Sequence, residues 1–161
     1  MTSSKQTIYV ETTIISAVVG RLSPVPENTR KQKLTRHWWR SVLPHFAPVI
    51  STYVFEEISD GDDSLAIKRR TETLRFRLIV GNTDIEKLAG QYLRAARLPE
   101  KAWFDACHVA CATIYKIDYL VTWNCNHINN GVIRKVIDRI NRAQGIDSPT
   151  ICTPEELMGV L

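Results

Sequence analysis

Apolar positions alternate along this chain between two rhythms. The run at 8–10 is short, unbroken and bounded by Glu11, the pattern of a strand buried on both faces in a parallel sheet. Further short runs at 48–51, 78–80, 119–122 and 149–152 read as four more strands. Between them the spacing is helical. Thr12 and Thr13 are placed to cap a helix through Ile14, Ile15, Ala17, Val18 and Val19 that Gly20 ends, and 21–27, with Pro24 and Pro26, reads as a loop. Leu34, Trp38 and Val42 mark a helix over 28–43, and residues 52–59 read as a short helix after the second strand. After a turn at 60–63, a second basic helix is expected over 64–76. Thr83 and Glu86 have the spacing of a capping box, ahead of the stripe Ile85, Leu88, Ala89, Tyr92, Leu93 and Ala96. Trp103, Ala106, Cys107, Ala110, Cys111 and Ile114 form a further stripe, from which Asp105 departs. The face Val132, Ile133, Val136, Ile137 and Ile140 ends at Gly145, and Thr153–Glu156 is another capping box. Strand and helix in alternation predict an α/β sandwich with a mainly parallel sheet, one domain spanning 1–161.

Composition changes this picture little. With 161 residues, 44% of them apolar, the chain is long enough to bury roughly 70% of its unfolded surface. The first residues lack the apolar core of a signal peptide, and no run approaches the roughly 20 residues that cross a bilayer, so a cytoplasmic, non-membrane protein is expected. Four cysteines form no CxxC pair. Zinc ligation by Cys107, Cys111, Cys125, His108 and His127 is disfavoured, because the usual spacings are missing and the first two cysteines belong to an apolar stripe. A formal charge of +4 is compatible with a polyanionic partner but does not require one.

The carboxylates carry more. Glu11 stands at the carboxyl end of the first strand and Asn124 beyond the end of the fourth. Either Glu56 or Glu57 lies over the same sheet edge, and Asp105 sits near a helix start. Clustered acids are tolerated when protons or cations neutralise them. Hard oxygen ligands suit Mg²⁺ or Mn²⁺, which lower the pKa of a bound water and neutralise an attacked phosphate.

Taken in order, the stretches IYVETTIIS at 8–16, STYVFEEI at 51–58, DACHVACA at 105–112 and LVTWN at 120–124 resemble the successive motifs of PIN-domain ribonucleases of the VapC toxin type. The resemblance implies a three-layer α/β/α fold and a Mg²⁺- or Mn²⁺-dependent endoribonuclease that hydrolyses RNA phosphodiester bonds. It further implies a toxin that is usually a homodimer and is inhibited by a small cognate antitoxin. By position, Glu11, Glu57 and Asp105 match the acids that hold the metal. Glu57 is preferred to Glu56 because it follows Ser51 by six residues, as in the family motif. Thr12 and Thr122 match polar positions beside the metal, and Asn124 takes the place of the fourth acid. The family usually has Asp where Glu11 stands, and an amide at 124 supplies no charge. One firmly held ion is therefore expected, and any second ion only alongside the phosphate. Asn126 and His127 are placed to help position the phosphate, and Arg36, Arg40, Arg69 and Arg70 to track RNA backbone. The alternative is a catalytically weakened module that binds RNA or protein. A nucleotide-binding reading fails at the first loop, where Glu11, Thr12 and Thr13 stand in place of a glycine-rich turn.

Overall fold

The computed structural model describes residues 4–159. Five strands, β1 (Thr7–Val10), β2 (Ala47–Ser51), β3 (Arg77–Ile79), β4 (Tyr119–Val121) and β5 (Thr150–Cys152), form one sheet in the order β3-β2-β1-β4-β5. Every neighbouring pair is parallel. Eight α-helices connect them among the described residues: α1 (Thr12–Val19), α2 (Pro26–Ser41), α3 (Thr52–Ile58), α4 (Asp63–Thr73), α5 (Thr83–Ala95), α6 (Trp103–Ile114), α7 (Gly131–Ala143) and α8 (Pro154–Leu157). Helix α1 packs on α2 and α4, and α2 on α8, while α5 packs on α6 and α7; these two groups sandwich the sheet in the expected three-layer α/β arrangement. No helix is long and apolar enough to cross a membrane among the described residues.

This topology decides where chemistry can sit. The chain runs outward from β1 through β2 to β3, then returns to place β4 on the other side of β1. The strand order thus reverses between β1 and β4, and the crevice beyond the carboxyl ends of that pair is where open α/β sheets bind ligands. Register makes the juxtaposition specific: Val10 pairs with Val121, and the Glu11 N–H donates to the Val121 carbonyl at 3.2 Å. Residues Ile8, Tyr9 and Val10 of β1 are fully buried, as expected of a strand covered on both faces.

Local boundaries depart from the sequence reading in physically instructive ways. Helix α2 begins at Pro26, inside the expected loop, because proline is tolerated in the first turn, where its missing N–H is not needed. The capping box expected at Thr83 is replaced by Asn82, whose side chain accepts from the N–H groups of Asp84 and Ile85. Helix α1 is capped by the carboxylate of Glu11 and not by Thr12 or Thr13. Helix α4 stops at Thr73, short of the expected 76, and β3 begins one residue early at Arg77. The capping box at Thr153 and Glu156 forms as read, and Gly145 takes a positive φ of 67° just past α7.

One buried polar knot ties together α5, α6 and α7. The Tyr92 hydroxyl donates to Asn141 Oδ1 at 2.5 Å and lies 3.2 Å from Thr113 Oγ1, with all three residues buried. Replacing Tyr92 by Phe leaves both partners short of a hydrogen bond in an apolar setting. The expected loss is about 1–3 kcal/mol of unfolding free energy, measured by urea denaturation with an unchanged m-value.

Candidate active site

The switch point between β1 and β4 is lined by carboxylates that arrive by three different routes. Glu11 follows β1 directly and is 2% exposed. Its Oε2 accepts from the Thr13 N–H at 3.1 Å, from the Thr13 hydroxyl, and from the Thr122 hydroxyl at 2.7 Å. Burial raises the pKa of Glu11, against the pull of His108 and of the two threonine hydroxyls. Glu57 projects from α3, a helix started by Ser51, whose Oγ accepts from the Val54 N–H at 3.3 Å. Its Oε1 takes two bonds, from Thr12 Oγ1 at 2.7 Å and with His108 Nε2 at 2.6 Å. Asp105 lies in the first turn of α6, and its Oδ2 is 2.8 Å from His127 Nδ1.

These bonds share a pattern. In each acid one carboxylate oxygen takes all the hydrogen bonds supplied by the described residues: Oε2 of Glu11, Oε1 of Glu57 and Oδ2 of Asp105. The second oxygen of each remains a free acceptor on a side chain that cannot easily rotate. Oxygens so oriented have the geometry that monodentate ligation of a cation needs, and hard oxygen donors of this kind fit Mg²⁺ or Mn²⁺.

Behind the acids runs a buried relay that the sequence reading missed. His108 is fully buried, with Nδ1 2.8 Å from the Tyr9 hydroxyl, which in turn lies 2.6 Å from Ser51 Oγ. Ligand atoms of Glu11, Glu57 and His108 all lie within 4.8 Å of one another. Asp105 is not a member of that tight group, although it lines the same cleft. Burial opposes a charge on His108, but the hydrogen bond and charge of Glu57, with the charges of Glu11 and Asp105, outweigh it and raise the imidazole pKa. Glu57 answers in kind: burial pushes its pKa up, yet the bond and charge of His108 and the Thr12 hydroxyl hold it below the usual value. The available signal was spacing, since His108 follows Asp105 by three residues and so lies one helical turn along the same side of α6.

A cleft of about 440 Å³ collects Glu11, Glu57, Asp105 and Asn124, together with Thr12. Asn124 holds its own turn: its Oδ1 accepts from the N–H groups of Asn126 at 3.2 Å and His127 at 2.9 Å. Ser51 and Thr122 are buried supports, and Asn126 is exposed and outside the cleft lining. Arg36 corrects the expectation of a backbone-tracking cation, because its guanidinium donates to the Val18 carbonyl at 3.0 Å and the Gly20 carbonyl at 2.6 Å, capping α1. Arg40 is exposed on α2, and Arg70 is half-buried on α4. Arg69 lines a neighbouring groove of about 920 Å³ that shares Thr12, Ser16 and Glu57 with the cleft. Cys107 and Cys111 pack in the core, where burial pushes their thiols up to about 12 and leaves them poor metal ligands at neutral pH.

No protein-family model matches the sequence, and no curated protein sequence matches it. Solved structures do. VapC20 of Mycobacterium tuberculosis, described as a sarcin–ricin loop cleaving toxin, aligns with a TM-score of 0.57 at 18% identity over 80% of this chain and 93% of that chain. VapBC2 of Rickettsia felis, bound to a DNA fragment from its promoter, aligns with a TM-score of 0.58 at 12% identity over 92% and 98%. VapBC-1 from nontypeable Haemophilus influenzae gives 0.55 at 16% over 93% and 99%. Five parallel strands in the order 3-2-1-4-5, clothed by helices with carboxylates at the switch point, thus place this chain in the fold of the VapC proteins, the PIN-like fold its motifs resemble.

Proposed function

We propose that this chain is a divalent-metal-dependent endoribonuclease, the toxin of a two-protein toxin–antitoxin pair. The observation that carries the reading is the set of three acids, Glu11, Glu57 and Asp105, brought to one cleft from distant segments, each with one carboxylate oxygen fixed and one free. The fold likeness supports the choice of substrate, since one of the structures sharing this fold is described as a toxin that cleaves the sarcin–ricin loop. The other two, VapBC2 and VapBC-1, are the precedent for a small cognate antitoxin as partner. A homodimer acting in the cytoplasm completes the proposal.

In this reading Glu11, Glu57 and Asp105 hold Mg²⁺ or Mn²⁺. The ion, when bound, supplies a water of lowered pKa and a counter-charge for the phosphate. The chain's own residues set the geometry. Thr13 and Thr122 fix Glu11, Thr12 and His108 fix Glu57, and His127 fixes Asp105. Tyr9 and Ser51 hold the His108 ring from behind. Asn124 contributes the turn that carries His127, and no negative charge. This charge count supports one ion held firmly, and any second ion only alongside the phosphate.

A second reading is favoured by one observation: the fourth acidic position is an amide whose oxygen already serves two backbone N–H groups. On that reading the chain is a weakened module that binds RNA or protein without cutting. Metal binding and cleavage separate the two.

Purified protein with Mn²⁺ or Mg²⁺ is expected to cleave RNA, and Asp105→Asn to reduce the rate about 100-fold or more. Equal cleavage by that variant at matched purity refutes the assignment. In calorimetric titration Mn²⁺ should bind saturably, and Thr12→Val, which removes one of the two bonds orienting Glu57, should weaken binding by about 10-fold. Failure to detect saturable, Asp105-dependent binding favours the non-cutting module.

A further inference from the structure

The cations expected to follow an RNA backbone are not those the cleft presents. Arg36 is committed to the end of α1. Arg69 stands in the neighbouring groove among Glu56, Glu57 and Asp60, and already donates to the Asp60 carbonyl at 3.3 Å. Lys31 is different. Among the described residues that line the cleft of Glu11, Glu57 and Asp105, it is the only cation.

Lys31 is also pre-positioned. Its ammonium lies 5.4 Å from the centre of the Trp123 ring, and Trp123 is itself held by a bond from Nε1 to Thr35 Oγ1 at 2.8 Å. Contact with an aromatic face restricts a side chain that otherwise loses much rotamer freedom on binding. Its acidic neighbour Glu27 stands 3.9 Å away, with side-chain exposures of 33% and 57%. An ion pair that long and that exposed is worth little, so phosphate oxygens displace it readily. Asn28, one turn earlier on the same face of α2, lines the cleft with an amide that makes no hydrogen bond among the described residues. Gln32 lines it too, but its amide is taken by the Arg21 carbonyl and the Ser23 N–H.

We propose that Lys31, seated on Trp123, is a phosphate subsite for an unpaired RNA strand, holding the backbone phosphate next to the one at the carboxylates. Asn28 faces the sugar or base edge of the same nucleotide. The subsite rests on the ribonuclease reading and gives the substrate a path, along the α1–α2 wall instead of the α3–α4 wall. An ammonium suits the task because it binds a phosphate as a point charge, without the fixed geometry that a guanidinium demands. It also offsets the repulsion that the acids impose on an approaching polyanion.

The test is fluorescence anisotropy of a labelled unpaired oligoribonucleotide with chelator present, repeated over a range of salt concentrations. Lys31→Gln is expected to weaken binding about 10-fold at low salt and to reduce the slope of log K against log salt by about 0.7, the share of one phosphate on a single strand. Lys31→Arg should keep the slope, and Arg69→Gln should cost less than Lys31→Gln. Thermal melting and Mn²⁺ affinity of Lys31→Gln should match the unsubstituted protein, which separates a binding role from a folding one. An unchanged slope in Lys31→Gln, or a larger loss in Arg69→Gln, overturns the subsite while leaving Asp105-dependent cleavage standing. Absence of both salt-dependent RNA binding and cleavage in the unsubstituted protein overturns the ribonuclease reading and the subsite together.

Discussion

A carboxylate that is almost wholly buried must find hydrogen-bond donors or give up its charge, and Glu11 is the residue on which this constraint falls. It meets the demand at the start of α1, where unpaired backbone N–H groups and the positive end of the helix dipole are available. Donors from Thr13 and Thr122 converge on one of its oxygens, so the same contacts that make the burial tolerable also join the ends of β1 and β4. Sheet register, helix start and carboxylate orientation are thereby one arrangement. A change that moved any of them would release the others.

The rest of the site is organised by hydrogen-bonded pairs. Two imidazoles stand against the acids, His108 on Glu57 and His127 on Asp105. His108 is held on its far side by Tyr9, so the Glu57 carboxylate is fixed by a chain of buried polar groups that reaches back to the start of α3. A fully buried network of this kind is rigid because each member has its partner. Rigidity matters at a metal site, where ligands placed in advance lose little entropy on binding.

Much of this was legible in the sequence. The strands announced themselves as short apolar runs, and Glu11 and one of Glu56 and Glu57 were placed at one sheet edge by counting from strand ends, because a parallel sheet fixes which edge those ends share; the family motif selected Glu57, and Asp105 stood out by leaving the apolar stripe of its helix. His108 escaped because it is surrounded by alanine, valine and cysteine, a stripe whose pattern reads as core, and burial is indeed what it undergoes. Its polar partners come from β1 and α3, and only tertiary packing joins them. Arg36 escaped for the opposite reason: a cation on a basic helix face reads as solvated, whereas the nearby end of α1 offers it carbonyls. Thr83 was read as a cap from its spacing to Glu86, but Asn82 one residue earlier competes for the same N–H groups and takes them.

The turn after β4 asks only for an acceptor oxygen at position 124, to take the N–H groups of Asn126 and His127. An aspartate would supply that oxygen as well as an asparagine does, in the same shape. Folding is therefore indifferent to charge at this point on the rim of the cleft, while the electrostatic field inside the cleft is not. Charge at position 124 can therefore be changed without disturbing the frame that positions the three carboxylates.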